Sequence, residues 1–277
     1  MDLSWFEGMI LGLLSGFADV LPVSAQAHRS IFLKIIGVDS QPALMALFVD
    51  LAILGALYVG CGNQLRRISR QLRLARIPKK KRQRPLDVRT LMEFRLLRVM
   101  LIPVILSVFL YQKTSAWSTR LNITALFLVV NAVILYLPNL LPSGNKDSRS
   151  MSGLEGLLMG LGGAASILPG VSSVGVSSSI ASVCGAERSF GLNMVYLMQM
   201  AVVAVRVIFD FSVIFSTGTV FTMGILLTCV FAALAAFVAA FFGIRLMRTI
   251  AVNVGFSVFS YYCLGAALFA FILYLIV

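Results

Sequence analysis

Long apolar stretches dominate this chain and leave little choice of fold. Four of them approach or exceed the ~20 residues that a helix needs to cross a bilayer, and they cover 126–141, 193–215, 221–244 and 254–277. Two shorter stretches cover 44–60 and 99–112. Only 12% of the residues are charged, far fewer than in soluble domains. The sequence therefore predicts an all-α integral membrane protein with about six transmembrane helices.

Positive charge is concentrated between two of these stretches. Of the 23 Lys and Arg residues, 13 fall between Gln64 and Arg98, including the run KKKRQR. A basic run can bind nucleic acid, but in so apolar a chain it is more typical of a loop that obeys the positive-inside rule. We therefore predict a basic cytoplasmic loop at 64–98 that attracts anionic membrane lipids, and no nucleic-acid partner.

The chain also contains an internal repeat. EGMILGLLSGFADVLPVSA begins at Glu7 and EGLLMGLGGAASILPGVSS begins at Glu155, with an offset of 147 to 148 residues. Both run through glycine-spaced apolar residues into Leu-Pro and then Val-Ser. Because Pro interrupts a helix, each is a broken segment, and such segments at matching places in two halves are typical of inverted repeats. They predict two re-entrant helical hairpins.

The repeat divides the chain into two halves, each with one hairpin and three spans. We place the first inverted repeat at 1–142, a polar linker at 143–152 and the second inverted repeat at 153–277. If the basic loop is cytoplasmic, the positive-inside rule puts both termini outside. The first hairpin then enters the membrane from outside and the second from inside.

Charged side chains inside the apolar segments need a reason, because one at the bilayer centre costs roughly 2.5–3.5 kcal/mol. Asp19, Asp50 and Arg206 fall at such depths. Asp50 either hydrogen-bonds a neighbouring helix break or belongs to a site, and the sequence leaves both open. Arg206 and Asp210 are four residues apart, a spacing that favours a mutual ion pair over ligand binding.

Polar residues and glycines also cluster around the two breaks, where a restarting helix offers free N–H groups to an anion. Around the first break lie Ser15, Asp19, Ser24, His28 and Arg29. Around the second lie Gly170, Ser172, Ser173, Gly175 and Ser177. A phosphate fits these groups better than a neutral ligand does. A serine in a membrane helix usually serves packing, so Ser177 alone is weak evidence, whereas His28 beside Arg29 is more typical of a functional histidine.

The stretch GLLSGFADVLPVSAQAH resembles the first signature of the undecaprenyl pyrophosphate phosphatase family of the bacitracin-resistance type, roughly E-G-x-x-E-F-L-P-V-S-S-T-G-H. LPGVSSVGVS resembles its second signature, P-G-x-S-R-S-G-x-T. The inverted repeat is similar too, so the resemblance covers essentially the whole chain. It implies an enzyme of the bacterial cytoplasmic membrane that removes a phosphate from the polyprenyl pyrophosphate carrier of cell-wall synthesis. A divalent metal, Mg²⁺ or Ca²⁺, is expected to help.

Carried over by position, the resemblance implies that Asp19, Ser24 and His28 are catalytic and that Asp19 also binds the metal. Residues expected to bind the substrate are Ser15, Arg29, Gly170, Ser172, Ser173, Gly175, Ser177 and Arg206. In this reading His28 acts as the general acid or base, and Ser24 attacks or binds the phosphate.

Three positions depart from the family pattern. Ser15 replaces the first Glu, Ala25 replaces the second Ser, and Ser173 replaces the signature Arg, while Asp19 keeps a carboxylate at the second Glu. One Arg on a transferring phosphoryl group is worth about 10³–10⁵ in rate. We predict the phosphatase, with Arg29 or Arg206 as the replacing cation. The alternative is a catalytically degenerate relative that binds and flips a polyprenyl phosphate. The oligomeric state stays open.

Overall fold

The computed structural model describes residues 3–82, 84–115, 117, 119–217, 222–253 and 255–276, which form α-helices joined by short turns and contain no β-strand. In chain order the helices are α1 (Trp5–Val20), α2 (Ala25–Ile35), α3 (Ala43–Arg76), α4 (Val88–Leu106), α5 (Val108–Ser115), α6 (Leu121–Tyr136), α7 (Gly153–Ala164), α8 (Ser173–Val183), α9 (Arg188–Thr217), α10 (Met223–Asn253) and α11 (Ser257–Ile276).

Six segments of the described chain are long and apolar enough to cross a bilayer. They are Ala43–Arg76, Val88–Tyr111, Leu121–Leu140, Arg188–Thr217, Met223–Ala251 and Ser257–Ile276. Their outer faces expose large apolar side chains such as Phe109, Phe215 and Leu268. An apolar surface of this extent is stable against lipid tails and not against water. The predicted all-α membrane fold with six spans is confirmed.

The remaining helices form two hairpins, α1–α2 and α7–α8, whose members have 11 to 16 residues and are too short to span. Both hairpins begin with the same device. Ser4 and Glu7 form a capping box at the start of α1, and Ser152 and Glu155 form one at the start of α7. A capping box satisfies backbone N–H groups that a helix start leaves free.

The two boxes also hold their carboxylates ionised. Hydrogen bonds from the backbone and side chain of Ser4 lower the pKa of Glu7. Partial burial works to raise the pKa of Glu155, but the Lys146 ammonium, 2.6 Å from Oε1, and the hydrogen bonds of Ser152 outweigh it, so that pKa is lowered as well. A negative charge at a helix N-terminus is favourable.

Each hairpin packs its first helix against a span from the other half of the chain. α1 lies along α10, where a Cβ added to Gly12 would collide with the carbonyl oxygen of Ala232. α7 lies along α4, where a Cβ on Gly160 would collide with that of Met100. Glycines at four-residue spacing allow such close backbone approach in membranes. The two halves are therefore interlocked.

The basic segment 64–98 is more helical than the predicted loop. α3 and α4 both extend into it and leave only 77–87 between them. Arg67 and Glu93 form an ion pair that joins the two helix ends. Arg, Lys, Gln and Leu are good helix formers, so the helices continue beyond the apolar residues.

Candidate active site

The break after α1 leaves four consecutive carbonyl groups without a helical partner, and each accepts a hydrogen bond from a distant side chain. The acceptors are Asp19, Val20, Leu21 and Pro22, and their donors, in the same order, are Gln199, Tyr196, Ser172 and Asn131, at 3.2, 3.0, 3.3 and 3.4 Å. In hydrocarbon an unpaired carbonyl is expensive, so a broken helix needs such partners. The first break is thus held by α6, α9 and the residue that caps α8.

The second break touches the first. The N–H of Gly170 donates to Oγ of Ser24 at 3.2 Å. Gly170 has φ +103°, and a Cβ there would lie 2.6 Å from the carbonyl oxygen of Thr124. Both the backbone conformation and the close approach therefore require glycine at this position.

Both hairpins restart with a serine cap. Oγ of Ser24 accepts from the N–H of Ala27 at 3.3 Å, and Oγ of Ser172 accepts from the N–H of Gly175 at 3.1 Å. Serine at this position satisfies a free N–H of the first turn. Because Ser24 also accepts from the second break, α2 and α8 begin close together.

Arg206 on α9 links two buried carboxylates. Its Nη1 and Nη2 donate to Asp19 at 2.7 and 2.6 Å, and its Nε and Nη2 donate to Asp50 at 2.8 and 3.0 Å. The predicted ion pair between Arg206 and Asp210 is therefore wrong. The carboxylates of α1 and α3 occupy both edges of the guanidinium, and Oδ2 of Asp210 is buried without a hydrogen-bond partner among the described residues.

A cavity of about 300 Å³ opens beside this cluster, and we call it the upper cavity. Its polar lining includes Asp19, Ser24, Arg29, Lys34, Asp39, Tyr111, Ser172, Ser173, Arg206 and Asp210. Six residues predicted for the site thus share one cavity: Asp19, Ser24, Arg29, Ser172, Ser173 and Arg206. Ser173, at the position of the signature Arg, donates to Oε1 of Gln199 at 2.6 Å. Arg206 therefore brings a cation to the cavity from another helix.

Four other predicted residues lie behind this lining or away from it. Oγ of Ser177 donates to the carbonyl of Met159 at 2.8 Å. Oγ of Ser15 is buried and has no partner among the described residues. Gly175 packs against Pro22, and Gly170 supports Ser24 through its N–H. Their contacts are with the backbone and with packing partners.

His28 lies on another face of α2. Its Nδ1 is 2.7 Å from the carbonyl oxygen of Ser24, and its Nε2 is 2.7 Å from the hydroxyl of Tyr262 on α11. The two rings stack with their centroids 5.6 Å apart. His28 lines an apolar groove with Ile31 and Phe269 and does not line the upper cavity. The catalytic role of His28 stays a prediction, and this geometry does not bring it to Asp19.

Sequence reasoning missed Asn131, Tyr196 and Gln199, which complete the first break. A signal was available, because an amide inside an apolar span is costly unless it is hydrogen-bonded. Asn131 and Gln199 are fully buried. The sequence showed each amide but not which carbonyl it serves.

Comparison with known proteins gives a consistent result over nearly the whole chain. The family described as bacitracin resistance protein BacA matches residues 8–269. A protein of Thermosipho melanesiensis named undecaprenyl-diphosphatase is 27% identical over 96% of this chain and 98% of its own. Proteins of the same name from Thermosipho africanus and Methanobrevibacter smithii are 26% and 24% identical, over 95% and 93% of this chain and 98% and 93% of their own.

Proposed function

This chain belongs to the bacitracin resistance protein BacA family, and from that premise we propose that it is a membrane undecaprenyl pyrophosphate phosphatase. It hydrolyses the polyprenyl pyrophosphate carrier to the monophosphate. The names of its relatives support hydrolysis over the flippase alternative. Within the structure, the observation that carries the proposal is Arg29, a cation that makes no ion pair among the described residues, in a polar cavity beside the cap of a broken helix.

Arg29 is the cation that we assign to the substrate phosphate. Arg206 is committed to Asp19 and Asp50, and Lys34 pairs with Asp39 at 3.1 Å. Arg29 makes no ion pair within the described residues, and its Nε reaches only the carbonyl oxygen of Ala25 at 3.4 Å. Its remaining N–H donors suit a phosphate, which guanidinium groups bind in a bidentate manner.

Water is the simplest nucleophile for this site. Its oxygen bonds to the terminal phosphorus while the bond to the bridging oxygen breaks, and the electron pair leaves with the polyprenyl monophosphate. Asp210 accepts the proton of the water, because its Oδ2 has no partner among the described residues. Arg29 neutralises charge on the transferred group, and charge neutralisation with positioning makes up most of phosphoryl-transfer catalysis. Ser24 binds a phosphate oxygen.

The divalent metal implied by the resemblance stays a prediction. The described residues hold no group of three or more His, Cys, Asp or Glu side chains placed to bind a metal ion. All four carboxylate oxygens of Asp19 and Asp50 already accept hydrogen bonds from Arg206. The ligand set does not fit a resident cation, so we derive no step through a metal.

The orientation follows from charge. We propose that the protein lies in the bacterial cytoplasmic membrane with the basic segment 64–98 on the cytoplasmic side and both termini outside. Its positive charge attracts anionic lipid headgroups there. The upper cavity lies at the start of α3 and the far end of α9, and it then opens towards the outer face.

Two neighbouring residues provide a matched test. Purified protein in detergent is assayed for phosphate release from undecaprenyl pyrophosphate with Mg²⁺ or Ca²⁺, for wild type, Arg29→Gln and His28→Gln. We expect Arg29→Gln to lose activity by about 10³-fold or more, since one arginine on the transferred group is worth that much. His28→Gln is expected to keep most activity.

Two other results of this assay would contradict the proposal. Loss in His28→Gln alone would move catalysis to the apolar groove and restore the role implied by the resemblance. A wild type that binds the lipid without releasing phosphate would refute the phosphatase and lead to a flipping assay in liposomes.

A further inference from the structure

A second polar cavity, of about 620 Å³, lies at the other end of the α3–α9 pair, and we call it the lower cavity. Its polar lining includes Asn63, Arg67, Arg89, Glu93, Asn193 and Arg248. None of these residues lines the upper cavity. From Asn193, which lines the lower cavity, to Arg206, which lines the upper one, is about 20 Å along α9 at 1.5 Å per residue, so the two cavities lie at different depths of the bilayer.

The internal repeat relates the two cavities. The upper cavity is bounded by 39–41, just before α3, and by 206–210 near the end of α9. Adding the repeat offset of 147 residues to 39–41 gives 186–188, and subtracting it from 206–210 gives 59–63. Those segments are the start of α9 and the middle of α3, and residues of both line the lower cavity. The inverted repeat thus builds one polar cavity beside the start of α3 and another beside the start of α9.

The lower cavity has spare positive charge. It is lined by three arginines, Arg67, Arg89 and Arg248, and by the carboxylates Glu93 and Glu187. Arg67 is paired with Glu93. Glu187 is exposed at the start of α9, where water screens it. The segment 64–98 beside the cavity carries 13 basic residues and two acids.

All three guanidinium groups have hydrogen-bonding capacity to spare. Arg248 donates through Nη2 to the carbonyl oxygen of Gly60 at 3.1 Å and makes no ion pair among the described residues. Its Nε and the Nε of Arg67 are buried without a hydrogen-bond partner in the described chain. The nearest ion-pair distance of Arg89 is 3.9 Å, to Asp147. Partly unsatisfied arginines around a cavity are complementary to an anion with several acceptor oxygens.

The start of α9 adds to this complementarity. Ser189 and Phe190, in its first turn, line the lower cavity, so the free N–H groups and the positive dipole end of a 30-residue helix lie at its edge. Asn63 and Asn193 supply amide donors from the facing helices. The arginines, the amide N–H groups and the helix start all offer donors, which favours an anionic ligand over a cationic one.

We propose that the lower cavity is an anion site that binds a phosphate group, separate from the upper cavity and on the basic side of the protein. The phosphate is either that of a lipid headgroup in the basic-side leaflet or a free inorganic phosphate. The assignment does not rest on the phosphatase activity, since none of its residues takes part in the proposed hydrolysis.

A labelling experiment reports on this cavity alone. The full chain carrying Asn63→Cys, in phosphatidylcholine nanodiscs, is labelled with a charged thiol reagent, and the rate at that residue is followed by peptide mass spectrometry. The first probe is inorganic phosphate in the buffer. The second probe is phosphatidate, an anionic phosphate lipid, placed in the nanodisc while the buffer contains no phosphate. Ser69→Cys, on the exposed face of α3, is the matched reporter outside the cavity.

We expect the probe to slow labelling at position 63 and leave position 69 unchanged. At about ten times the Kd the slowing is about tenfold, since only the unoccupied fraction reacts. Arg248→Gln removes the protection, whereas Arg245→Gln keeps it, because Arg245 lies one turn earlier, over the ring of Phe241.

The outcomes separate the sources of phosphate. Protection by inorganic phosphate alone identifies a free-anion site, protection by phosphatidate alone identifies a headgroup site, and protection by both identifies a headgroup site that accepts free phosphate. Protection by neither, or equal protection in Arg248→Gln, would overturn the proposal. Arg89→Gln, an exposed position, repeats the test with little risk to folding.

Discussion

The two hairpins share a plan and differ in chemistry. Each starts at a Ser–Glu capping box, packs on a span of the opposite half, breaks at Leu-Pro and restarts at a serine cap. Yet the first places Asp19 and Arg29 in the upper cavity, while the second contributes hydroxyls, Ser172 and Ser173, that are hydrogen-bonded to Leu21 and Gln199. The repeated features build the scaffold, and the unrepeated ones carry the charge.

The spans show the same division. Arg206 of α9 binds both Asp19 and Asp50, but the residue 147 positions earlier is Val59, whose exposed fraction is 55%. An exposed valine on a membrane span contacts lipid, so Arg206 has no charged counterpart in the first half. A duplicated fold therefore supports a single charged centre, and function lies in the site and not in the fold.

The largest loss of stability is expected from breaking the cluster of Arg206, Asp19 and Asp50, which the repeat does not duplicate. Arg206→Met leaves two buried carboxylates without their cation, which costs about 3–5 kcal/mol, since removing one partner of a buried ion pair is strongly destabilising. Thermal unfolding in detergent measures this. Adding Asp19→Asn and Asp50→Asn should recover most of the loss, because the two side chains that lost their partner are then neutral. An unchanged Tm in Arg206→Met would show that the cluster does not hold α1, α3 and α9 together.

Smaller losses of stability, equal for the two hairpins, are expected from disrupting the close glycine packing of α1 and α7. Gly12→Ala and Gly160→Ala each force a methyl group against a backbone carbonyl, at Ala232 and Met100, which costs about 1–3 kcal/mol by overpacking. Gly265→Ala is the control, because a Cβ there meets nothing within 4 Å. Unfolding midpoints compare the three. A large loss in one hairpin only would show that the two interlocks are not equivalent.

The smallest effect is expected at the capping boxes. Glu155 has a lowered pKa in the folded protein, so its contribution is complete above its ordinary pKa of 4.5 and is lost as the pH falls through the lower, folded value. Wild type should therefore exceed Glu155→Gln in Tm at pH 7 and approach it in acid. The gap for Glu7→Gln should be smaller, because Glu7 is exposed and lacks the Lys146 partner of Glu155. Equal Tm differences for the two variants would show that the Lys146 ion pair does not add to the stability.

Sequence patterns predicted the spans and hairpins because these depend on composition and on spacing along the chain. The pairing of Arg206 was predicted wrongly for a related reason. A spacing of four residues shows that Arg206 and Asp210 share a face of α9, but it does not show that Asp19 and Asp50 approach from two other helices. His28 illustrates the same limit, because α2 turns it towards Tyr262 while Arg29, the next residue, lines the upper cavity.

The hydrogen bonds that complete the first break have a consequence for how the chain is made. Val20 accepts from Tyr196, which is 176 residues further along, so its partner is synthesised roughly 9–35 s later at 5–20 residues per second. Until then, carbonyl groups of the first hairpin lack hydrogen-bond donors, and lipid tails supply none. We therefore expect the nascent first half to insert with this hairpin near the membrane–water interface, and the hairpin to reach its final depth only after α9 has been synthesised.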